Sequence, residues 1–319
     1  MHARNSVLLP DPRFILLTIL VAGCRGDPDP LAPVALPATA AVGASPAATG
    51  HIAFVSNRDG GNFEIYSMNP DGSNQTNLTN DPGADFQPAW STDGSKIAFS
   101  RFEDDGTQHI WVMNADGSGQ HQVGTANGGE PGFSPDGTRI VFTSFTTAFT
   151  DFQIHVMNAD GTGDVAITSG PGGGSLPAWS PDGAWIVFGS NSEKVQGGLR
   201  HTSLYLVRPD GTDLNRLTTM SGVEFIGRWS PDGNRILFTH NAQEIWVVNR
   251  DGTGLQRIDH AQSYQNLGGF SPDGLYIVFD SGHRAAKKPA LVYVMNADGS
   301  NAVQLTNGLA YDGNSAWGR

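Results

Sequence analysis

From residue 51 onward the apolar positions come in short bursts separated by polar turns, and no stretch keeps a helical period of useful length. The burst Ile52-Ala53-Phe54 returns as Ile97-Ala98-Phe99, Ile140-Val141-Phe142, Ile186-Val187-Phe188, Ile236-Leu237-Phe238 and Ile277-Val278-Phe279, at intervals of 45, 43, 46, 50 and 41 residues. Each is followed by a second strand pattern: FEIYSMN, HIWVMN, QIHVMN, SLYLVR, EIWVVN and LVYVMN. A third short strand follows, such as QTNLT or LNRLT, and then a strand with one aromatic, Trp90, Phe133, Trp179, Trp229, Phe270 or Trp317. Four strands at a period of 40 to 50 residues predict one blade of a β-propeller per repeat.

The turns support this reading. VMNADG occurs at Val112–Gly117, Val156–Gly161 and Val294–Gly299, with close variants ending at Gly72, Gly211 and Gly252. Asn suits the first turn position, Ala or Pro the second, and Gly the left-handed last one. A calcium loop of the EF-hand kind needs Gly at its sixth position and Glu at its twelfth; here Gly is fourth and that Glu is missing. A second turn, Ser-[Thr/Pro]-Asp-Gly, follows five of the six aromatics, ending at Gly94, Gly137, Gly183, Gly233 and Gly274. The sixth copy stops at Trp317-Gly318-Arg319. The repeat region thus starts on the second strand of a blade and ends on the first, so the segment around Trp317 should pair beside Phe54 and leave no open sheet edge. The expected fold is all-β: a six-bladed propeller of four-stranded antiparallel blades over residues 51–319, closed by its own terminal strands. His155 takes the place held by Tyr or Trp in the other blades, so a packed ring is expected there rather than a metal ligand.

Composition sharpens the class. The chain of 319 residues has 41 Gly, 19 Pro and only 16% charged residues, which suits short strands and tight turns. A net charge of -12 argues against broad nucleic-acid binding, which needs a basic face. The single Cys excludes an internal disulfide. Its setting is informative: Arg4 and Arg13 precede the apolar run Phe14–Ala22, and Val21-Ala22-Gly23-Cys24 follows. This reads as an export signal over residues 1–23, too short to span a bilayer. Residues 24–50, rich in Pro, Ala and Gly, read as a semi-extended tether.

In a propeller the two Asp-Gly turns of each blade share one face, short and uniform. The opposite face varies, as binding loops do. Just before each inner strand, five residues ahead of the aromatic, stand Asp85, Gly128, Gly174, Glu224, Gln265 and Asp312; three ahead stand Gln87, Glu130, Leu176, Ile226, Leu267 and Asn314. Asp85, Glu130, Glu224 and Asp312 are candidates for an acidic rim that binds a cation or basic peptide, against the plainer reading of a solvated acidic face. Arg228 stands where the other blades have Ala89, Gly132, Ala178, Gly269 and Ala316. It needs a charged partner or water; pairing with Glu224 and holding a ligand carboxylate are the two readings. Phe86, Phe225, Tyr264 and Tyr311 are candidate platforms for stacking on sugars. Lys194, Arg200 and His201 in one loop, and His283, Arg284, Lys287 and Lys288 in another, form basic patches that can steer a partner.

Two resemblances add to this. Val-Ala-Gly-Cys24 resembles a bacterial lipobox, which implies acylation of Cys24 at a new N-terminus; an ordinary secretory signal is the alternative. Arg25, in place of the Asp that retains such proteins in the inner membrane, implies the outer membrane facing the periplasm. The recurring W/F-S-P-D-G, I-[AV]-F and [IV]-[YW]-V-M-N-A-D-G-[ST] motifs resemble the TolB-type, WD-repeat-like propeller family over about all of 51–319. The α/β domain that precedes the propeller in the family's namesake has no counterpart here, where the tether stands. The resemblance implies a non-catalytic envelope module that docks a protein or peptide at its channel mouth, as the namesake docks a peptidoglycan-associated lipoprotein. Glycan or small-ligand binding is the alternative. Similar propellers precede a hydrolase domain in prolyl oligopeptidases, but the G-x-S-x-G elbow that domain needs is not present. Others are oligogalacturonate lyases with a His-held metal; His201, His240, His260 and His283 fall near the variable face, but at no fixed ligand spacing. No cofactor is expected, with a metal in the channel left open; the membrane is reached through the lipid anchor only.

Overall fold

The computed structural model describes residues 48–148, 150–170, 173–194, 200–259, 264–282 and 289–319. The export signal, Cys24 and the tether up to residue 47 lie outside the described residues, as do His260 and the basic cluster His283–Lys288.

Six four-stranded antiparallel sheets form. Numbering blades from the closing sheet, the inner strands are Asp312–Gly318, Ala84–Trp90, Gly128–Phe133, Ser175–Trp179, Glu224–Trp229 and Tyr264–Phe270. Each packs beside the next in this order and the sixth beside the first, so they ring a central axis. Blade 1 closes the ring as expected: Ile52 pairs with Trp317, Ala53 with Ala316 and Ser56 with Asp312. The outermost strands are only two or three residues long, which leaves little exposed edge for another chain to pair with.

The core lies between blades rather than inside them. The second strand of each blade is buried on both faces, and Phe54, Phe99, Phe142, Phe188 and Phe238 are at most 1% exposed. One cluster joins Ile52, Phe54 and Met68 of blade 1 to Val278, Val292 and Val294 of blade 6; another joins Ala98, Ile110 and Val112 of blade 2 to Phe133, Ile140 and Phe142 of blade 3. This burial on two sides is why the motif reads as a continuous apolar run rather than an alternation. The inner-strand aromatics stitch neighbouring blades: Trp90 stacks on His51 at 6.3 Å, Trp317 on Tyr276 at 6.2 Å, and Arg139 lies 4.7 Å over Trp179. His155 packs against Phe142 at 5.4 Å, with its Nδ1 2.8 Å from Asp164 Oδ1.

The turns close as the residues dictate. Gly117 N–H donates to Asn114 O at 2.9 Å, and Asp116 Oδ1 accepts from the amide and hydroxyl of Ser118 at 3.0 and 2.6 Å. The turn Asp is therefore a cap, and its hydrogen bonds hold its carboxyl below the usual range. Gly117 is needed twice. Its φ is +86°, and a Cβ there would sit 2.5 Å from Leu78 O of the neighbouring blade 1. The blade 4 loop that was to carry Lys194, Arg200 and His201 is partly strand: Ile186–Lys194 and Arg200–Val207 pair out to Lys194 and Arg200.

Candidate functional site

Every inner strand enters from the variable face and runs to the turn face, and every one carries a register shift three to two residues before its aromatic. At the shift stand Gln87 (φ 56°), Glu130 (61°), Leu176 (57°), Ile226 (59°) and Asn314 (48°), all left-handed and none a glycine. Blade 6 makes its shift between Leu267 and Gly269, where Gly269 takes φ 130°. Such conformations cost about 1–3 kcal/mol each and persist only where their surroundings hold them.

Across blades 2 to 4 a relay of hydrogen bonds holds them. Gln87 Oε1 accepts the Ser100 hydroxyl at 2.8 Å and the Glu130 amide at 3.1 Å. Glu130 Oε2 accepts the Thr143 hydroxyl at 2.6 Å and the Leu176 amide at 2.5 Å. Asn314, one methylene shorter than Gln, leaves its buried Oδ1 without a donor. The first tier of the channel is therefore divided. Asn314, Gln87 and Glu130 make a polar arc on blades 1 to 3; on blades 4 to 6 stand Leu176, half-buried, and Ile226 and Leu267, which at 4% and 3% exposed belong to the core cluster that also holds Phe225. Glu130 is surrounded by protein but keeps part of its surface open, as a channel-facing residue would, and burial pushes its carboxyl above the usual range.

Beyond the shift, just before each aromatic, stand Ala89, Gly132, Ala178, Gly269, Ala316 and Arg228. Arg228 is the one long side chain there. Its stem lies along Gly269, where a Cβ would be 3.7 Å from Arg228 Cγ. Its Nη1 donates to Gly227 O at 3.1 Å. Burial lowers it to about 10, and the charge of Glu130 opposes that shift.

Most of the expected acidic rim is elsewhere. Asp85, Glu224 and Asp312 are each 0% exposed. Arg101 grips Asp85 at 2.7 and 2.8 Å, and its guanidinium lies 4.4 Å over Trp111. Burial still pushes Asp85 up to about 6. Arg58 donates to Asp312 at 2.7 Å. Glu224 accepts the Thr218 hydroxyl and is raised by burial, so it is not the partner of Arg228. The cause is the bulge. A regular strand puts positions two apart on one face, and an inserted left-handed residue breaks that period. The acids turn into their blades and only Glu130 of the four reaches the channel.

The aromatic platforms fare similarly. Phe86 is 3% exposed and packs on Phe63 at 5.0 Å and Phe102 at 5.7 Å; Phe225 is 7% exposed, in the core. Tyr311 is half-buried, edge-on to Phe63 at 5.7 Å, and Tyr264 opens the inner strand of blade 6. His240 is buried, packed on Trp246, with its Nδ1 lacking a partner and its proton affinity lowered by burial. Among the described residues no group of three or more His, Cys, Asp or Glu is placed to hold a metal.

Sequence reasoning passed over Asp280. It follows the core Phe279, where blades 2, 3 and 5 have Ser100, Thr143 and Thr239. It is 1% exposed, accepts from Ser315 N–H at 3.4 Å and its hydroxyl at 3.3 Å, and has no donor on Oδ2. Burial drives it up to about 7. An acid where the repeat puts a hydroxyl was the available signal.

Residues 42–318 match the family model described as TolB beta propeller domain. The Tol-Pal system protein TolB of Anaeromyxobacter dehalogenans (strain 2CP-C) is 30% identical over 114 residues, 36% of this chain and 26% of that protein, so the match spans about a quarter of the relative's length. The crystal structure of TolB from Acinetobacter baumannii aligns with a TM-score of 0.69 at 21% identity, over 84% of this chain and 66% of that one. An oligogalacturonate lyase from Vibrio parahaemolyticus aligns with a TM-score of 0.53 at 16% identity, over 79% and 73% of the two chains. These structural likenesses concern the fold.

Proposed function

The chain belongs to the TolB β-propeller family, and on that premise we propose that it is a non-catalytic binding module of the cell envelope, docking a protein or peptide on its variable face and channel mouth. Residues 1–23 are its export signal, Cys24 its acylated anchor to the outer membrane, and residues 24–50 the tether that lets the propeller reach its partner in the periplasm. One observation carries the docking assignment. One face is made of eleven Asp-Gly turns that close with the same Gly N–H bond at 2.8–2.9 Å, whereas the other carries the length variation, the blade 4 hairpin, the polar arc of Asn314, Gln87 and Glu130, and Leu309, which is 96% exposed. The burial of Phe86 and Phe225 removes two of four sugar platforms and favours a protein or peptide over a glycan.

The test uses two exposed apolar residues on opposite faces. In a soluble Cys24→Ser form, Leu309→Cys and Leu275→Cys are each coupled to a bulky maleimide; Leu275, 61% exposed, follows a turn Gly. Partners recovered from envelope extracts are identified and compared with those of the unlabelled protein. The adduct at 309 is expected to abolish recovery of the same partner and the adduct at 275 to leave it unchanged. The reverse result assigns docking to the turn face and ends the proposal.

A further inference from the structure

The six copies of the repeat serve as controls for one another, and several departures meet in one place. Trp185 stands where the other blades have His51, Lys96, Arg139, Arg235 and Tyr276. Arg208 opens a turn that elsewhere opens with Asn, and Arg250 takes a turn position held by Ala or Pro in the other five blades. Trp185 and Arg250 line a cavity of about 250 Å3 between blades 4 and 5, where the blade 5 turn meets the outer strand Asn215–Arg216 of blade 4. The Arg208 guanidinium lies 4.0 Å over the Trp185 ring. In blades 1, 3, 5 and 6 the residue matching Trp185 lies over the inner aromatic of the next blade. Here Arg250 is interposed, its Cζ 5.9 Å from the Trp185 ring and 5.7 Å from that of Trp229, which leaves the Trp185 indole to wall the cavity. Between blades 1 and 2 the same notch is closed by Gln120, whose Nε2 donates to Leu78 O and to Gly117 O, both at 3.1 Å. Blade 5 has Leu255 at that position, which is 43% exposed and has no donor to close the notch.

The lining decides the class of ligand. Trp185, Leu206 and Leu217 give it apolar walls, and Asn215, Arg250 and Asp251 give it a polar mouth. An anion is not favoured. Arg250 is held by Asp182 at 2.8 Å, Arg216 donates to Thr218 O at 2.6 Å and to Ser203 Oγ at 2.9 Å, and Asp251 adds a negative charge of its own. An apolar side chain is not favoured either, because it would cover these polar groups without bonding them. What they offer is mixed. Arg250 has N–H donors beyond the one on Asp182. Asn215 donates through Nδ2 to Asp213 O at 2.7 Å and presents Oδ1 as an acceptor. Asp251 caps Thr253 through Oδ1 and presents Oδ2. Donors and acceptors beside one indole suit a neutral ring with hydroxyls on its edge and C–H bonds on its face. At about 250 Å3 the cavity is smaller than the roughly 300–1,000 Å3 of pockets for drug-sized ligands, so it takes one ring rather than a chain. We propose that this notch is a saccharide subsite, seating one neutral sugar ring against Trp185 with its hydroxyls on Asn215, Arg250 and Asp251. It lies on the rim of the turn face, apart from the docking face, and does not rest on that assignment.

Saturation-transfer NMR on the Cys24→Ser form of the full chain tests this with methyl glucoside, methyl galactoside, N-acetylglucosamine, glucuronate and N-acetyl-leucine amide as probes. Transfer is expected to the ring C–H protons of at least one of the three neutral sugars, and to exceed that to glucuronate and to the leucine amide. Trp185→Lys and Arg250→Ala each install a residue that other blades carry at the same place, Lys96 for the first and Ala115, Ala159 and Ala297 for the second, so both variants should fold. Each should weaken the titrated affinity for that sugar at least about fivefold. No transfer to any neutral sugar, stronger transfer to glucuronate (an anion receptor) or to the leucine amide (a seat for a protein side chain), or a neutral-sugar affinity that either substitution leaves unchanged would each overturn the assignment.

Discussion

Replacing Asp280 with Asn should make the protein more stable at neutral and alkaline pH and leave it unchanged in acid. Asp280 is 1% exposed, and burial raises its pKa from 3.8 to about 7 against the pull of hydrogen bonds from Ser315, Asn266 and the Asn314 amide; no charged side chain is among the causes. A folded-state pKa above the unfolded one means that the native protein holds this proton more tightly. Stability linked to the group is therefore fully present below about pH 4 and is lost as pH rises toward 7, after which no more is lost. The span of about 3 units is worth about 4 kcal/mol at 1.36 kcal/mol per unit. Asn has the same shape, keeps the oxygen that Ser315 bonds, and has no charge to bury. Urea unfolding of both proteins at intervals from pH 4 to 8.5 measures the difference. It should be near zero at pH 4, grow through pH 5 and 6, and level off near about 4 kcal/mol above pH 7. A constant offset at all pH values, or a variant less stable at pH 8, would refute the reasoning by showing that Asp280 is ionised and well solvated in the native state.

Asn314→Gln should add the methylene that lets this side chain reach the next blade as Gln87 reaches Glu130, raising stability by about 1 kcal/mol, the net worth of a hydrogen bond; a loss of stability would mean that the relay cannot extend to blade 1. Gly117→Ala should cost more than Gly137→Ala, although both turns need a left-handed residue: a Cβ at 117 meets Leu78 O at 2.5 Å, whereas nothing lies within 4 Å at 137. Chemical denaturation should show about 1 kcal/mol for Gly137→Ala and at least about twice that for Gly117→Ala; equal costs would mean that conformation alone decides. Cys24→Ser should shift the protein from the membrane to the soluble fraction of lysed cells, and unchanged fractionation would end the lipid-anchor proposal.

Blade number, strand order and ring closure were legible because they are written six times, and a signal that weak in one copy becomes secure when its turns, core Phe and aromatic all recur in phase. The site was less legible because it depends on a departure from strand periodicity. Nothing in Asp85-Phe86-Gln87-Pro88 announces a left-handed residue; the bulge is imposed by packing six strands around one axis, and it decides which side chains face the channel. Their place just before each inner strand put Asp85, Glu224 and Asp312 on a rim, when Arg101, Arg58 and Thr218 draw them into the blades. Arg228 was recognisable from the alanines and glycines in register with it, but that Glu224 would be engaged elsewhere was a fact of three dimensions. Asp280 stood out by the same comparison between blades and needed only to be looked for.

The pairing of Ile52 with Trp317 also sets an order of events. The two strands of that ladder are separated by some 260 positions of chain, so the loop that joins them is the most costly in entropy to close. Until residues 312–319 have emerged, the apolar strand His51–Ser56 has an edge that any neighbouring chain can occupy. A protein built this way gains from being kept apart from its copies while it folds, because its first strand has to wait for its last.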